Sequence, residues 1–107
     1  MVTINGVELE FDILDANMAE RYEKALARMT EKAKENNIGT SSEMIRWQCN
    51  TMDAFFEEVY GEGTSIKLFG GSISLRDRIS AFEILLKSAK EQSDQLQSIF
   101  KNILIYE

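Results

Sequence analysis

The carboxylates within residues 53–62 are the side chains that are best placed, by type and spacing, to do chemistry. Asp53, Glu57 and Glu58 fall in a predicted helix and Glu62 lies just after it; Asp53 and Glu57 share a helix face one turn apart. Paired carboxylates serve acid–base catalysis when a pocket separates their pKa values. Unpaired carboxylates are rarely buried, and the ligand-and-glycine pattern of a calcium loop is absent. We therefore interpret Asp53, Glu57 and Glu58 as part of a solvated or partner-facing acidic surface.

The other reactive groups form no catalytic pattern. The chain has no histidine and one cysteine, Cys49, which excludes the Ser-His-Asp triad, the Cys-His dyad, histidine-bearing zinc sites and an internal disulfide. Cys49 falls on the apolar stripe of a predicted helix and is interpreted as a core residue. The segments 61–63 and 70–71 lack the Gly-Lys-Ser/Thr ending of a P-loop, and their glycines are interpreted as helix ends. We expect a protein that is not an enzyme and has neither cofactor nor metal.

The elements that must position these residues begin with a β-hairpin. Apolar and polar residues alternate on both sides of Asn5-Gly6, the dipeptide that favours a two-residue type I′ turn. Asp15 or Asn17, Thr40 and Ser74 are candidate helix N-caps. We predict an α+β, mostly α fold, an N-terminal hairpin followed by three to four helices. The predicted single domain, residues 1–107, comprises a hairpin over 1–14, helices over 15–37, 41–60 and 64–69, and a long helix over 74–104.

The last helix carries the most regular apolar pattern. Its members recur in steps of four and three residues over four heptads: Leu75, Ile79, Phe82, Leu86, Ala89, Ser93, Leu96, Phe100 and Ile103. A helix of this length measures about 43 Å and would project past a body whose radius of gyration is about 13 Å. Exposed apolar stripes of this kind mark interfaces. We predict a homo-oligomer that associates through Leu86, Leu96, Phe100 and Ile103, with the alternatives that the seam packs on the body or awaits another partner.

Further interface candidates are Ile99, Trp47 and Phe69. Ile99 lies in the apolar distal part of the last helix. Trp47 and Phe69 are aromatic side chains, which are enriched at binding hot spots. Core packing is the competing interpretation for both aromatics.

The charge of the chain bears on its partners. The net charge is −6, which disfavours binding to nucleic acid or to an anionic membrane, because such binding needs clustered Lys and Arg. Residues 1–15 and 39–63 each carry −4, and two acidic regions of this kind can steer a basic protein partner. No run approaches the roughly 18 apolar residues of a membrane helix, and residues 1–7 lack a signal-peptide pattern. We expect a cytoplasmic, soluble protein with a protein partner.

Several of these residues together carry a family resemblance. The resemblance begins at residues 2–16, which read Val-Thr-Ile-Asn-Gly-Val-Glu-Leu-Glu-Phe-Asp-Ile-Leu-Asp-Ala. It continues with Ile45-Arg46 and Gln48-Cys49, Gly61-Glu-Gly63-Thr64, Phe69-Gly70 and Ala81-Phe82-Glu83. This order, over about residues 2–92, resembles small proteins from the tail-morphogenesis region of tailed phages and prophages of Gram-positive bacteria, which are similar to tail assembly chaperones.

The resemblance implies a role in phage tail assembly. A tail assembly chaperone would coat the apolar helices of the tape-measure protein and keep them from aggregating until tube subunits polymerise around them. It would act in the cytoplasm of the infected or lysogenic host and be absent from the mature virion. The alternative is an acidic phage protein that binds a host defence protein as an inhibitor or trigger. A small enzyme would require buried carboxylates that converge in a pocket.

Overall fold

The chain folds as a β-hairpin followed by four helices. The computed structural model describes residues 1–35 and 39–105. The described elements are β1 (Val2–Ile4), β2 (Val7–Leu9), α1 (Ala16–Ala33), α2 (Ser41–Tyr60), α3 (Thr64–Phe69) and α4 (Leu75–Ile105). The predicted α+β, mostly α fold class is confirmed. The first helix ends at Ala33 rather than at residue 37, and residues 36 and 37 of that prediction lie outside the described residues.

The hairpin has the predicted turn. Val2 pairs with Leu9 and Ile4 with Val7 in an antiparallel register, and Asn5 and Gly6 take φ values of 50° and 78°, as a type I′ turn requires. The side-chain amide of Asn5 donates to the carbonyl of Leu68 at 3.0 Å. This contact ties the turn to α3.

Capping side chains set the starts of the helices. Asp15 accepts from the backbone amides of Asn17 and Met18 at the start of α1. Thr40 accepts from the backbone amide of Glu43 at 3.3 Å, which is one of the two contacts of a capping box. The Glu43 carboxylate accepts from the Thr40 hydroxyl at 3.1 Å. Asp15 is therefore the cap of α1, and the predicted alternative, Asn17, is the second residue of that helix.

A chain of aromatic rings forms the centre of the core. Phe55 contacts Phe56, Tyr22 and Phe82 edge-to-face, with ring centroids 5.3, 6.1 and 5.2 Å away. Phe11, from the segment after the hairpin, reaches Tyr22 at 5.2 Å. Such pairs contribute about 0.5–1.5 kcal/mol each beyond the area that they bury. Phe55, which is 2% exposed, is thus a central core residue of α2.

The molecule is elongated along one axis. Its extents are 59 × 31 × 21 Å and its radius of gyration is 16.2 Å, against about 13 Å for a compact domain of this length. The 31 residues of α4 span about 46 Å at 1.5 Å per residue. Within residues 1–35 and 39–105, no helix combines the length and apolar character that crossing a membrane demands.

Candidate functional site

Three carboxylates of the predicted acidic cluster have partners within the protein. Asp53 binds Arg78, Glu57 accepts from the backbone amide of Gly63 at 3.0 Å, and Glu58 binds Arg28, whereas Glu62 is exposed. Asp53, Glu57 and Glu58 are therefore partly buried and paired, where the sequence pattern predicted a solvated or partner-facing acidic surface. Arg78 and Arg28 are distant from their partners in sequence, and the partner of Glu57 is a backbone group. The spacing of acidic residues along one helix could not reveal such contacts.

Arg78 is the centre of the most extensive of these contacts. Its side chain is 5% exposed, and its guanidinium donates to both carboxylate oxygens of Asp53, at 2.8 and 3.2 Å. It also donates to the carbonyls of Ser72 and Ser74 at 3.0 and 3.1 Å. The guanidinium carbon lies 4.5 Å from the ring centre of Phe69. The arrangement satisfies a buried cation and locks the start of α4 to α2.

Phe69 is accordingly a core residue and not an exposed interface residue. It is 6% exposed, with the Phe56 ring 5.6 Å away and the Arg78 guanidinium over its own ring. The interface prediction for Phe69 is wrong because the short helix α3 turns this side chain inward. Its competing interpretation, core packing, describes the residue.

The remaining reactive groups have structural surroundings. Cys49 is 1% exposed, and its burial raises the pKa of the thiol, with a smaller opposing effect of Arg78; a raised pKa reduces the thiolate fraction and hence nucleophilicity. Gly61 and Gly70 have φ values of 109° and 60° and close α2 and α3 through their backbone amides. Across the described ranges, no three Cys, Asp or Glu side chains are grouped to hold a metal ion.

An apolar groove lies between α1, α2 and the start of α4. We call it the Trp47 groove and define it by Met29, Trp47, Met52, Leu75, Ile79 and Phe82, which line a cavity of about 320 Å³. A neighbouring cavity of about 380 Å³ shares Met29, Trp47 and Thr51 with it and has Arg28, Lys32 and Glu58 at its edge. Trp47 is partly exposed between the two cavities. The predicted candidate Trp47 therefore stands at the middle of a continuous, mostly apolar depression.

A second apolar surface lies where α4 extends past the body. Gln92 makes the hydrogen bonds to the body that lie farthest along the described part of α4: its side-chain amide accepts from the backbone of Ile13 and donates to the carbonyl of Phe11, both at 2.8 Å. All residues from 94 to 104 are exposed. We call Leu96, Ile99, Phe100 and Ile103 the overhanging face; these side chains are 36%, 55%, 56% and 48% exposed.

The overhanging face continues the side of α4 that packs on the body. The residues Leu85, Ala89, Gln92, Leu96, Ile99 and Ile103 follow each other in steps of four and three, and the first three are buried or partly buried. At about 100° per residue, this spacing places all six on one side of the helix. The same side of α4 therefore packs on the body at one end and is uncovered at the other.

Leu86 does not belong to this side. The predicted seam contained Ile79 and Leu86, but these are 43% and 41% exposed, whereas the neighbouring Arg78 and Leu85 are 4% and 0% exposed. The buried side of α4 is thus displaced by one residue from the predicted seam. The apolar pattern did not predict the buried side of α4, because two residues on that side, Arg78 and Gln92, are polar. Their hydrogen-bond partners lie elsewhere in the chain.

Comparison with known proteins assigns the chain to a family. Residues 5–104 match the family described as Family of unknown function (DUF6673). Neither the curated proteins nor the solved structures contain a significant match.

Proposed function

We propose that this chain, which belongs to the DUF6673 family, acts by non-enzymatic protein–protein binding in phage tail assembly and chaperones the tape-measure protein. The observation that carries the proposal is the Trp47 groove, an apolar depression between three helices. The assignment to tail assembly is supported by the resemblance of residues 2–92 to proteins of the tail-morphogenesis region.

The groove has the form that suits an amphipathic helix. Grooves between helices recognise such a helix by its apolar side, through anchors at i, i+3, i+4 and i+7. Met29 and Met52 contribute flexible thioether side chains to the lining, which adapt to different apolar surfaces. Arg28, Lys32 and Glu58 at the edge place groups of both charges beside the polar side of such a helix. A chaperone of a long apolar helical protein needs this tolerance, because it must bind many similar segments.

The absence of enzymatic activity is supported by the state of the reactive side chains. The carboxylates nearest in sequence to one another bind Arg78, Gly63 and Arg28 instead of converging on a pocket. Cys49 is buried and lies outside the two groove cavities. We place the protein in the cytoplasm of the bacterial host during assembly, outside the finished virion.

Co-expression with a tape-measure protein from the same phage or prophage tests the proposal. Wild-type chain should increase the soluble fraction of that protein and co-purify with it. Ile79→Glu places a carboxylate in the groove, at a position that is 43% exposed, and should abolish co-purification without unfolding the chain. Ile66→Glu is the matched control, because Ile66 is 72% exposed on α3 and outside the groove.

Two results would contradict this function. The first is an unchanged soluble fraction of the tape-measure protein with wild-type chain. The second is equal loss of binding in Ile79→Glu and Ile66→Glu. Binding of a purified host defence protein that Ile79→Glu abolishes would assign the groove to the alternative partner.

A further inference from the structure

We propose that the overhanging face binds the same face of a second copy of this chain in an antiparallel, two-fold arrangement. This contact is separate from the Trp47 groove and does not depend on the proposed function. In this arrangement Leu96, Ile99, Phe100 and Ile103 of one copy pack against the same four side chains of the other.

The distribution of charge favours a second copy. Residues 94–105 carry Asp94 and Lys101 alone, so their net charge is zero within a chain of −6. On an α-helix both residues lie on the side opposite to Leu96 and Ile103. Two acidic molecules can therefore meet along this segment without like charges in the contact.

The direction of pairing follows from the charge of the body. The body carries almost all of the −6 net charge. Parallel helices would place two acidic bodies side by side, whereas antiparallel helices place them at opposite ends of the pair, farther apart than the Debye length of about 8 Å at physiological salt. A two-fold axis also makes the contact self-complementary and closed, so that a dimer results and not a fibre.

The length of the overhang fits this arrangement. Twelve residues, 94–105, span about 18 Å. When two overhangs lie antiparallel over this length, Leu96 lies opposite Ile103 of the second copy, and Ile99 lies opposite Phe100 of the second copy. The end of each α4 then reaches the edge of the other body, which sets the extent of the overlap.

The apolar area is sufficient for a reversible dimer. Leu96, Ile99, Phe100, Ile103 and the adjacent Leu104 are each 36–68% exposed. At about 100 Å² of apolar surface for each side chain, two copies bury about 1,000 Å², near the lower limit for a specific interface. We expect a micromolar dissociation constant, in keeping with an interface of this size.

Sedimentation velocity of the full chain, from about 5 to about 200 µM, tests the pairing, because micromolar affinities show in that range. Wild-type chain should shift from monomer to dimer. Ile99→Glu/Ile103→Glu should weaken the dimer by about 100-fold, since four carboxylates would enter one apolar contact. Ser98→Glu, on the opposite side of the helix, should change the dissociation constant by less than about threefold. Circular dichroism checks that all variants keep their helices.

Small-angle X-ray scattering of the dimer tests the direction. Two molecules 59 Å long that overlap by about 18 Å give a maximum dimension of about 100 Å. A parallel pair, whose two bodies lie side by side and are each 31 × 21 Å across, gives about 70–85 Å. A wild-type monomer at about 200 µM, equal weakening by Ser98→Glu, or the shorter dimension would overturn the proposal. Co-purification of the monomeric variant with the tape-measure protein is scored separately, so that loss of the dimer is not mistaken for failure of the groove.

Discussion

At the scale of single residues, a few polar side chains fix the geometry of the body. Arg78 joins α4 to α2 through Asp53 and to the loop before α4 through two carbonyl groups. A buried guanidinium that loses its carboxylate remains buried without a counter-charge, which is costly. The sequence could identify Asp53 as a titratable group in a helix, but not its partner 25 residues away.

The Arg78–Asp53 pair gives the first stability prediction. We expect Asp53→Ala to lower the free energy of unfolding by about 3 kcal/mol, because it leaves the guanidinium unpaired. Asp94→Ala is the matched control: Asp94 binds Lys90 with both side chains more than half exposed, and its loss should cost less than about 0.5 kcal/mol. Urea denaturation measures both values. Equal effects would show that the Arg78 contacts do not stabilise the fold.

Tyr60 gives a prediction about pH. Its hydroxyl is buried and bonds no other group of the described part of the chain, and burial raises its pKa from 10.0 to about 12. Between these pH values the unfolded chain ionises Tyr60 and the folded chain does not, so the stability falls as the pH rises through this window. Tyr60→Phe should be at least as stable as wild type at neutral pH, because it removes a buried hydroxyl that makes no hydrogen bond, and its advantage over wild type should be larger near pH 11. Urea denaturation of both proteins at the two pH values measures this, and a clear loss of stability in Tyr60→Phe at neutral pH would contradict it.

At the scale of elements, local signals predicted most of the secondary structure. These signals act over a few residues: the turn at Asn5-Gly6, the start of α2 at Thr40, and the glycines that end α2 and α3. The turn and the helix ends lie where these residues predicted them. The buried side of α4 was harder to predict. Arg78 and Gln92 can lie on the buried side because they have hydrogen-bond partners in α2 and in the segment after the hairpin. Tertiary contacts of this kind cannot be predicted from the spacing of apolar residues in the sequence.

Gln92 gives the prediction at this scale. Its side-chain amide forms hydrogen bonds with the backbone of Ile13 and Phe11. These bonds join α4 to the segment after the hairpin. Gln92→Ala should lower the free energy of unfolding by about 1–2 kcal/mol, since two backbone groups lose their partner. Gln95→Ala, in the exposed overhang, should stay within about 0.5 kcal/mol of wild type. If the two variants were equally stable in urea, the hydrogen bonds of Gln92 would not stabilise this part of α4.

At the scale of the whole molecule, binding surfaces and charge are segregated. Residues 1–15 and 39–63 each carry a net charge of −4, whereas the overhang is neutral and its apolar side is uncovered. The elongated shape was predictable from the length of the last helix, and its exposed apolar end from the same pattern. The Trp47 groove was not predictable beyond Trp47 itself, because Met29, Met52 and Ile79 come from three helices whose packing a linear pattern does not specify.

This segregation predicts a weak dependence of the dimer on salt. A contact without charges between well-separated bodies should change its dissociation constant by less than about threefold between 0.05 and 0.5 M salt. A parallel pair, with acidic bodies side by side, would strengthen markedly with salt because screening removes their repulsion. Sedimentation velocity at both salt concentrations distinguishes the two arrangements.

The most direct test of the central claim, that the Trp47 groove holds an apolar helix of a partner, is site-specific photo-crosslinking. Trp47 would be replaced by the photoreactive amino acid benzoylphenylalanine, which keeps an aromatic side chain there, and the chain would be co-expressed with the tape-measure protein. We predict a covalent product whose attachment sites lie on the apolar side of tape-measure helices, and none when the same amino acid replaces Ile66. No product at residue 47, or equal products at residues 47 and 66, would contradict the account.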